Sequence, residues 1–188
     1  MQNDFNYYYS SWNIIFKNSF VSKVVYIMAS QRLVIGIILG VILSFFSAFF
    51  FNMTVILNQI ALYAGNDLLR SISLLIGANF DFDMISFITG TPTILGFFAP
   101  EILAWIFIGY ISGTIVKGFR RGVIAGSIVV VIVVAIWIIL SIFSQVDLMS
   151  LFTGNQLIET LGGIISAFIG VLLGGSIGGL ISGPYQEF

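Results

Sequence analysis

Apolar residues run along this chain in long blocks separated by short polar intervals. Four blocks are long enough for a membrane crossing, which takes roughly 20 helical residues over a hydrocarbon core of about 30 Å. They run from about Leu33 to Phe51, Leu95 to Val116, Val123 to Phe143 and Leu157 to Ser182. The first block continues through VILNQIALYA to Ala64, but a single helix of that extent would measure about 48 Å. A break or interfacial bend near Asn52 is therefore expected. The pattern predicts an all-α fold: one integral membrane domain over residues 1–188 with four transmembrane helices in a four-helix bundle.

The intervals carry weaker patterns. In the outer loop, about residues 52–94, Leu68, Leu69, Ile72, Leu75 and Ile76 follow helical spacing, with Asn66 as the expected N-cap and Gly77 as the stop. This spacing predicts a short helix lying on the outer leaflet. Residues 1–32 read as a cytoplasmic or interfacial segment, with Tyr7, Tyr8, Tyr9, Trp12 and the lysines as interfacial anchors.

Within the blocks the most regular feature is a set of small residues. Gly162, Ser166, Gly170, Gly174, Gly178 and Ser182 recur every four positions, and Gly175, Gly179 and Gly183 make an adjacent row. Gly36, Gly40, Ser44 and Ala48 repeat the spacing in the first block. Lipid offers no hydrophobic drive for helices to associate, so small residues that permit close backbone approach mark helix contacts. Two arrangements follow: the first and fourth helices pack on each other, or one of the two rows on the fourth helix faces another subunit. A glycine-lined pore or a bend is a third use of the same residues.

Composition sharpens the membrane assignment. Of 188 residues, 59% are hydrophobic and only 8% charged, against about 25% charged in a soluble domain. Cysteine and histidine are both absent, which removes disulfides, thiolate nucleophiles, imidazole bases and the usual zinc sets; no cofactor or metal is expected. The net charge of −1 includes no basic run, so no nucleic-acid partner is expected. The amino terminus lacks the basic, apolar and cleavage regions of a signal peptide.

Charge placement sets the expected orientation. Lys17, Lys23 and Arg32 precede the first block, and Lys117, Arg120 and Arg121 separate the second from the third. Because lysine and arginine are retained on the cytoplasmic side, four spans with both termini cytoplasmic put six of the seven basic residues inside. Asp67, Asp81, Asp83 and Asp147 then fall outside. The hairpin KGFRRGVIAG loosely resembles those of small four-span prokaryotic membrane proteins, a resemblance over about a third of the chain that carries no functional residues. It implies the plasma membrane of a prokaryote.

The blocks also show a possible internal repeat. Small residues follow Glu101 at Ala104, Gly109 and Ser112, and follow Glu159 at the same intervals, at Gly162, Ala167 and Gly170. Arg32-Leu-Val-Ile-Gly36 is likewise set against Arg121-Gly-Val-Ile-Ala-Gly126. Two helical hairpins in parallel repeat would give an approximate two-fold axis along the membrane normal.

Few side chains suggest chemistry. Glu101 follows Pro100 where the second span begins; its carboxylate either steadies the positive end of the helix dipole or serves as an ion site. Glu159 is read as a terminus residue. Asp81 and Asp83 are acids that a hard cation could use, although no third ligand is evident. Asn52-Met53-Thr54 matches a glycosylation acceptor at a position against the membrane, where chance explains it. No span carries a charged residue at its centre, and VVVIVVAIWII in the third is free of polar groups.

The leading expectation is a non-catalytic accessory or scaffold subunit that assembles through its small-residue helix faces, with membrane lipid and either other membrane subunits or a second copy as partners. The competing expectation is a small channel or transporter, with Glu101 and the glycine-rich faces lining a path. A lipid-acting membrane enzyme using Asp81 and Asp83 is the weakest of the three.

Overall fold

The computed structural model describes residues 31–144, apart from 48, 49, 52, 55, 59, 65 and 66, and residues 154–183. Every regular element among these residues is a helix. In chain order they are α1 (Gln31–Ser47), a π-helical turn at Ile60–Ala64, α2 (Leu68–Gly77), α3 (Met84–Thr89), α4 (Ile94–Phe97), α5 (Pro100–Val116), α6 (Phe119–Phe143) and α7 (Gly154–Ile181). Asn52 and the amino-terminal aromatic and lysine anchors lie outside the described residues.

Among the described residues, three helical stretches are long and apolar enough to cross a membrane: Leu68–Thr89, Phe119–Phe143 and Gln156–Ile181. The chain is on this ground an integral membrane protein. Two further apolar helices, α1 and α5, are shorter, and at 17 residues α5 measures about 26 Å.

The second and third blocks end where α5 and α6 end, at Val116 and Phe143, but the helices start at Pro100 and Phe119 and not near Leu95 and Val123. Pro100 occupies the start of α5 with Glu101 in the first turn, as expected of a residue that lacks an N–H where none is needed. Leu95 belongs to α4, a separate helical turn capped by Thr93, whose hydroxyl accepts from Gly96 N at 3.0 Å. At the far end of α5, Lys117 and Gly118 take positive φ values of 57° and 88°. This two-residue turn returns the chain directly into α6.

The segment expected on the outer leaflet is built differently. Asp67, not Asn66, caps α2: its carboxylate accepts from Leu69 N at 2.9 Å and Arg70 N at 3.2 Å. The helix then packs into the bundle, with Ser73, Leu75 and Ile76 buried. It gives way to a 3-10 turn at Ala78–Phe80, all three residues buried, and to non-helical residues 81–83 before α3. Phe80 lies between Trp105 and Trp137, at ring centroid distances of 5.3 and 5.5 Å. Together with Ile108, Val133, Ala167 and Val171 these rings form the core.

α7 packs most extensively on α5, then on α6. The order of contacts along the two helices breaks the proposed repeat. Pairing Glu101 with Glu159 would set Gly109 opposite Ala167, whereas Gly109 meets Val171 and Gly175, and Gly170 meets Trp105. The helices are thus offset by about two turns, roughly 10 Å, from the register the repeat requires.

Candidate functional site

Two regions bring together the residues that the sequence singled out. The first is a glycine junction toward the α5–α6 turn. On α7, Gly170, Gly174 and Gly178 face α5: a methyl group at Gly170 would stand 2.6 Å from Trp105 Cβ, and one at Gly174 or Gly178 would run into the carbonyl oxygens of Ile106 and Tyr110. Gly175 and Gly179, on the adjacent face, meet Gly122 and the α5–α6 turn. A methyl at Gly175 would lie 2.7 Å from Gly122 O, and one at Gly179 would lie 2.6 Å from Gly118 O. The two rows therefore contact two different helices of the same chain.

The surfaces they meet are themselves glycine. A methyl at Gly113 would lie 2.6 Å from Gly175 O, and one at Gly109 would lie 2.7 Å from Val171 O. Gly122 is closed in by Gly175 O and by Gly113 Cα, and Gly126 by Val171. Backbone thus meets backbone across three helices, and Gly118 N donates to Gly179 O at 3.2 Å, a hydrogen bond between the turn and α7. Gly109 and Gly113, and Gly118, Gly122 and Gly126, carry the same four-residue spacing as the α7 rows. That spacing is the sequence signal for this side of the junction.

The small face of α1 does not meet the α7 rows. A methyl at Gly36 would stand 2.5 Å from Val116 Cγ2, and one at Gly40 would stand 2.5 Å from Ser112 Oγ and 2.6 Å from Val129 Cγ2. The expected packing of the first helix on the fourth is replaced by α1 against α5 and α6. Ser112 is fully buried there, and its hydroxyl has no hydrogen-bond partner.

The second region is the break in the 68–89 segment. Asn79, 2% exposed, donates from its amide to Ser44 O at 3.0 Å and to Ile76 O at 3.3 Å. Its side-chain oxygen accepts from Ser47 Oγ at 3.1 Å, and its backbone carbonyl accepts from Trp105 Nε1 at 2.8 Å. One residue thereby ties α1, α2 and α5. Six residues earlier, Ser73 and Ser141 share a hydroxyl hydrogen bond of 2.9 Å between α2 and α6.

Glycines again admit close approach. Gly162 of α7 lies against the Asp83 carboxylate and Gly163 against Phe80 O, and Gly77 leaves room for the Trp137 ring, whose Nε1 would lie 2.9 Å from a methyl there. Ser166 is buried and donates to Gly163 O at 2.7 Å; Ser44 donates to Val41 O at 2.7 Å.

Asp83 caps α3, accepting from Ile85 N at 2.9 Å, Ser86 N at 3.2 Å and the Ser86 hydroxyl. Asp81 is exposed, Glu101 half-buried in the first turn of α5 and Glu159 exposed on α7. Among the described residues no three acids gather as a metal site would require. No family model matches the chain, and no significant match was found among curated proteins or solved structures.

Proposed function

We propose that the chain is a non-catalytic membrane protein of four spans, α1, α5, α6 and α7, serving as an accessory or scaffold subunit with both termini on the cytoplasmic side of a prokaryotic plasma membrane. The observation that carries this reading is the glycine junction: both rows of α7 are in contact with the chain's own backbone, which makes the bundle a tightly closed unit without a lumen along those rows. Contact with a partner then falls on the lipid-facing surfaces, not on the glycine rows.

The orientation is supported by the placement of charge. Gly36 beside Val116 sets the start of α1 next to the α5–α6 turn, so Arg32, Lys117, Arg120 and Arg121 gather at one end of the bundle. Asp67 caps α2 at the other. This is the asymmetry that positive-inside retention produces.

Extraction in mild detergent followed by native mass measurement tests the function. A species heavier than one chain, containing a second kind of subunit, is expected; a monodisperse single chain under conditions that preserve known membrane complexes would refute the subunit reading.

A small channel or transporter is the second reading, favoured by the interrupted helix at 78–83. Interrupted helices supply the polar backbone at carrier binding sites. Solute flux into proteoliposomes holding the purified chain alone would favour it over a scaffold.

A further inference from the structure

We propose that α2 and α5 are the two halves of one discontinuous membrane crossing, broken near mid-depth, with residues 81–99 inserted between the halves. The inference rests on the four-span membrane reading above, in which α5 becomes the inner half of the second span and α2 its outer half.

The level of each half follows from its contacts with the two long helices. Gly122 meets Gly175, Gly126 meets Val171 and Gly179 meets Gly118, so α6 and α7 run antiparallel in a fixed register. Followed along both helices, that register sets Gly163 level with about Val134 and Ile165 level with about Ile132. α5 runs parallel to α7, since Gly170 meets Trp105, Gly174 meets Ile106 and Tyr110, and Gly178 meets Tyr110 and Thr114. Carried back from Trp105 to its first residue, α5 begins level with about Ile165, and hence with about Ile132 of α6. Ile132 lies roughly 16 Å short of Phe143, where α6 ends. α5 therefore starts inside the bundle and not at its rim.

α2 occupies the level that α5 leaves open. Ser73 pairs with Ser141 and Gly77 lies on Trp137, so α2 runs antiparallel to α6 and in the same direction as α5. Continued through the turn at Ala78–Phe80, this register sets Phe80 level with about Val134. Gly163 lies against Phe80 O, and the register of α7 with α6 gives the same level by a separate route. The outer half thus ends roughly 3 Å from the level at which Pro100 begins the inner half. α1 runs beside both: Gly36 and Gly40 lie on α5, and Ser44 and Ser47 bond Asn79 just beyond α2.

Leu68–Thr89 is long and apolar enough for a crossing of its own, but its last turns cannot complete one. Asp83 lies beside Gly162, about 28 Å from the end of α7 at Ile181, whereas the six residues of α3 advance about 9 Å. α5 makes the remaining descent, and its 17 residues suffice because it has only the inner part to cross. Lipid does not accept exposed unwound backbone at depth, so the exposed side of the joint at Asp81 is covered by something other than lipid. A span broken at mid-depth is the element around which carriers build binding sites, which gives the channel or transporter reading its structural basis.

The chain contains no cysteine, so introduced nitroxide labels report without background. Leu68, Phe98, Phe119, Val131 and Phe143 are all exposed and would be replaced by cysteine, in pairs for dipolar distances in liposomes. The label at 98 is expected at similar distances from those at 119 and 143, the two ends of α6, within about 10 Å, and the 68–119 distance is expected to exceed the 98–119 distance by more than about 10 Å. A label at 98 closer to 143 than to 119 by about 25 Å would put the start of α5 at the rim and overturn the discontinuous span. So would a 68–119 distance no longer than 98–119, since α2 would not then occupy the outer half. The single label at 131 tests the membrane reading separately: relaxation by oxygen well above relaxation by a water-soluble nickel chelate is expected, and the reverse would overturn that reading while leaving the end-to-end order of α2 and α5 to the distances.

Discussion

The two ends of the bundle are held together by opposite means. Near the α5–α6 turn, α5, α6 and α7 meet through glycine, backbone on backbone, with scarcely any side chain between them. Toward the other end residues 73–80 pack against α1, α5 and α6, and the joint is made by side chains: the amide of Asn79, the hydroxyls of Ser47, Ser73 and Ser141, and the indole N–H of Trp105. In lipid a helix contact draws on close packing or on hydrogen bonds, and this chain uses one at each end. The difference teaches that glycine spacing marks where helices touch, while isolated polar residues in apolar segments mark where something other than a helix is accommodated.

The largest effect is expected at the glycine end. Gly122→Leu would drive a side chain into Gly175 O and Gly113 Cα, atoms that cannot yield without moving a whole helix, so a cost above about 3 kcal/mol is expected, beyond the ordinary penalty for overpacking. The variant should fail to give a cooperative thermal transition in detergent. At the polar end, Asn79→Leu removes the side-chain bonds to Ser44 O, Ile76 O and Ser47 but keeps the carbonyl that Trp105 uses; a loss of about 1–3 kcal/mol is expected, read as a lower melting temperature with helix content retained. Ser73→Ala deletes one interhelical hydroxyl pair, and at about 0.6 kcal/mol, the average for such bonds in membranes, it should shift the transition only slightly. An Asn79→Leu effect as small as that of Ser73→Ala would remove the central role given to Asn79.

How legible this was depends on what each pattern encodes. The long apolar blocks gave α5, α6 and α7 to within a few residues because length and hydropathy are one-dimensional properties, and Pro100 marked its helix start by chemistry that needs no tertiary context. The helix at 68–77 packs into the bundle and not on the outer leaflet, because amphipathic spacing names an apolar face without saying what covers it. In water or at a membrane surface Ser73 would point outward; here it points into the bundle, toward Ser141. The glycine rows of α7 meet α5 and α6 and not α1, since spacing of four makes any small-residue face fit any other. Two rows on adjacent faces implied two partners, and both are helices of this chain.

The account's central claim is that the second glycine row of α7 belongs to the interior of a single chain. Thermal unfolding of Gly175→Ala as a verified monomer, beside Leu173→Ala on the exposed face of the same helix, tests it most directly. A methyl at position 175 would stand 2.7 Å from Gly122 O, so the monomer should lose about 1–3 kcal/mol of stability while Leu173→Ala changes it little. A Gly175→Ala monomer that melts like the unaltered chain, but no longer associates with a partner, would contradict it.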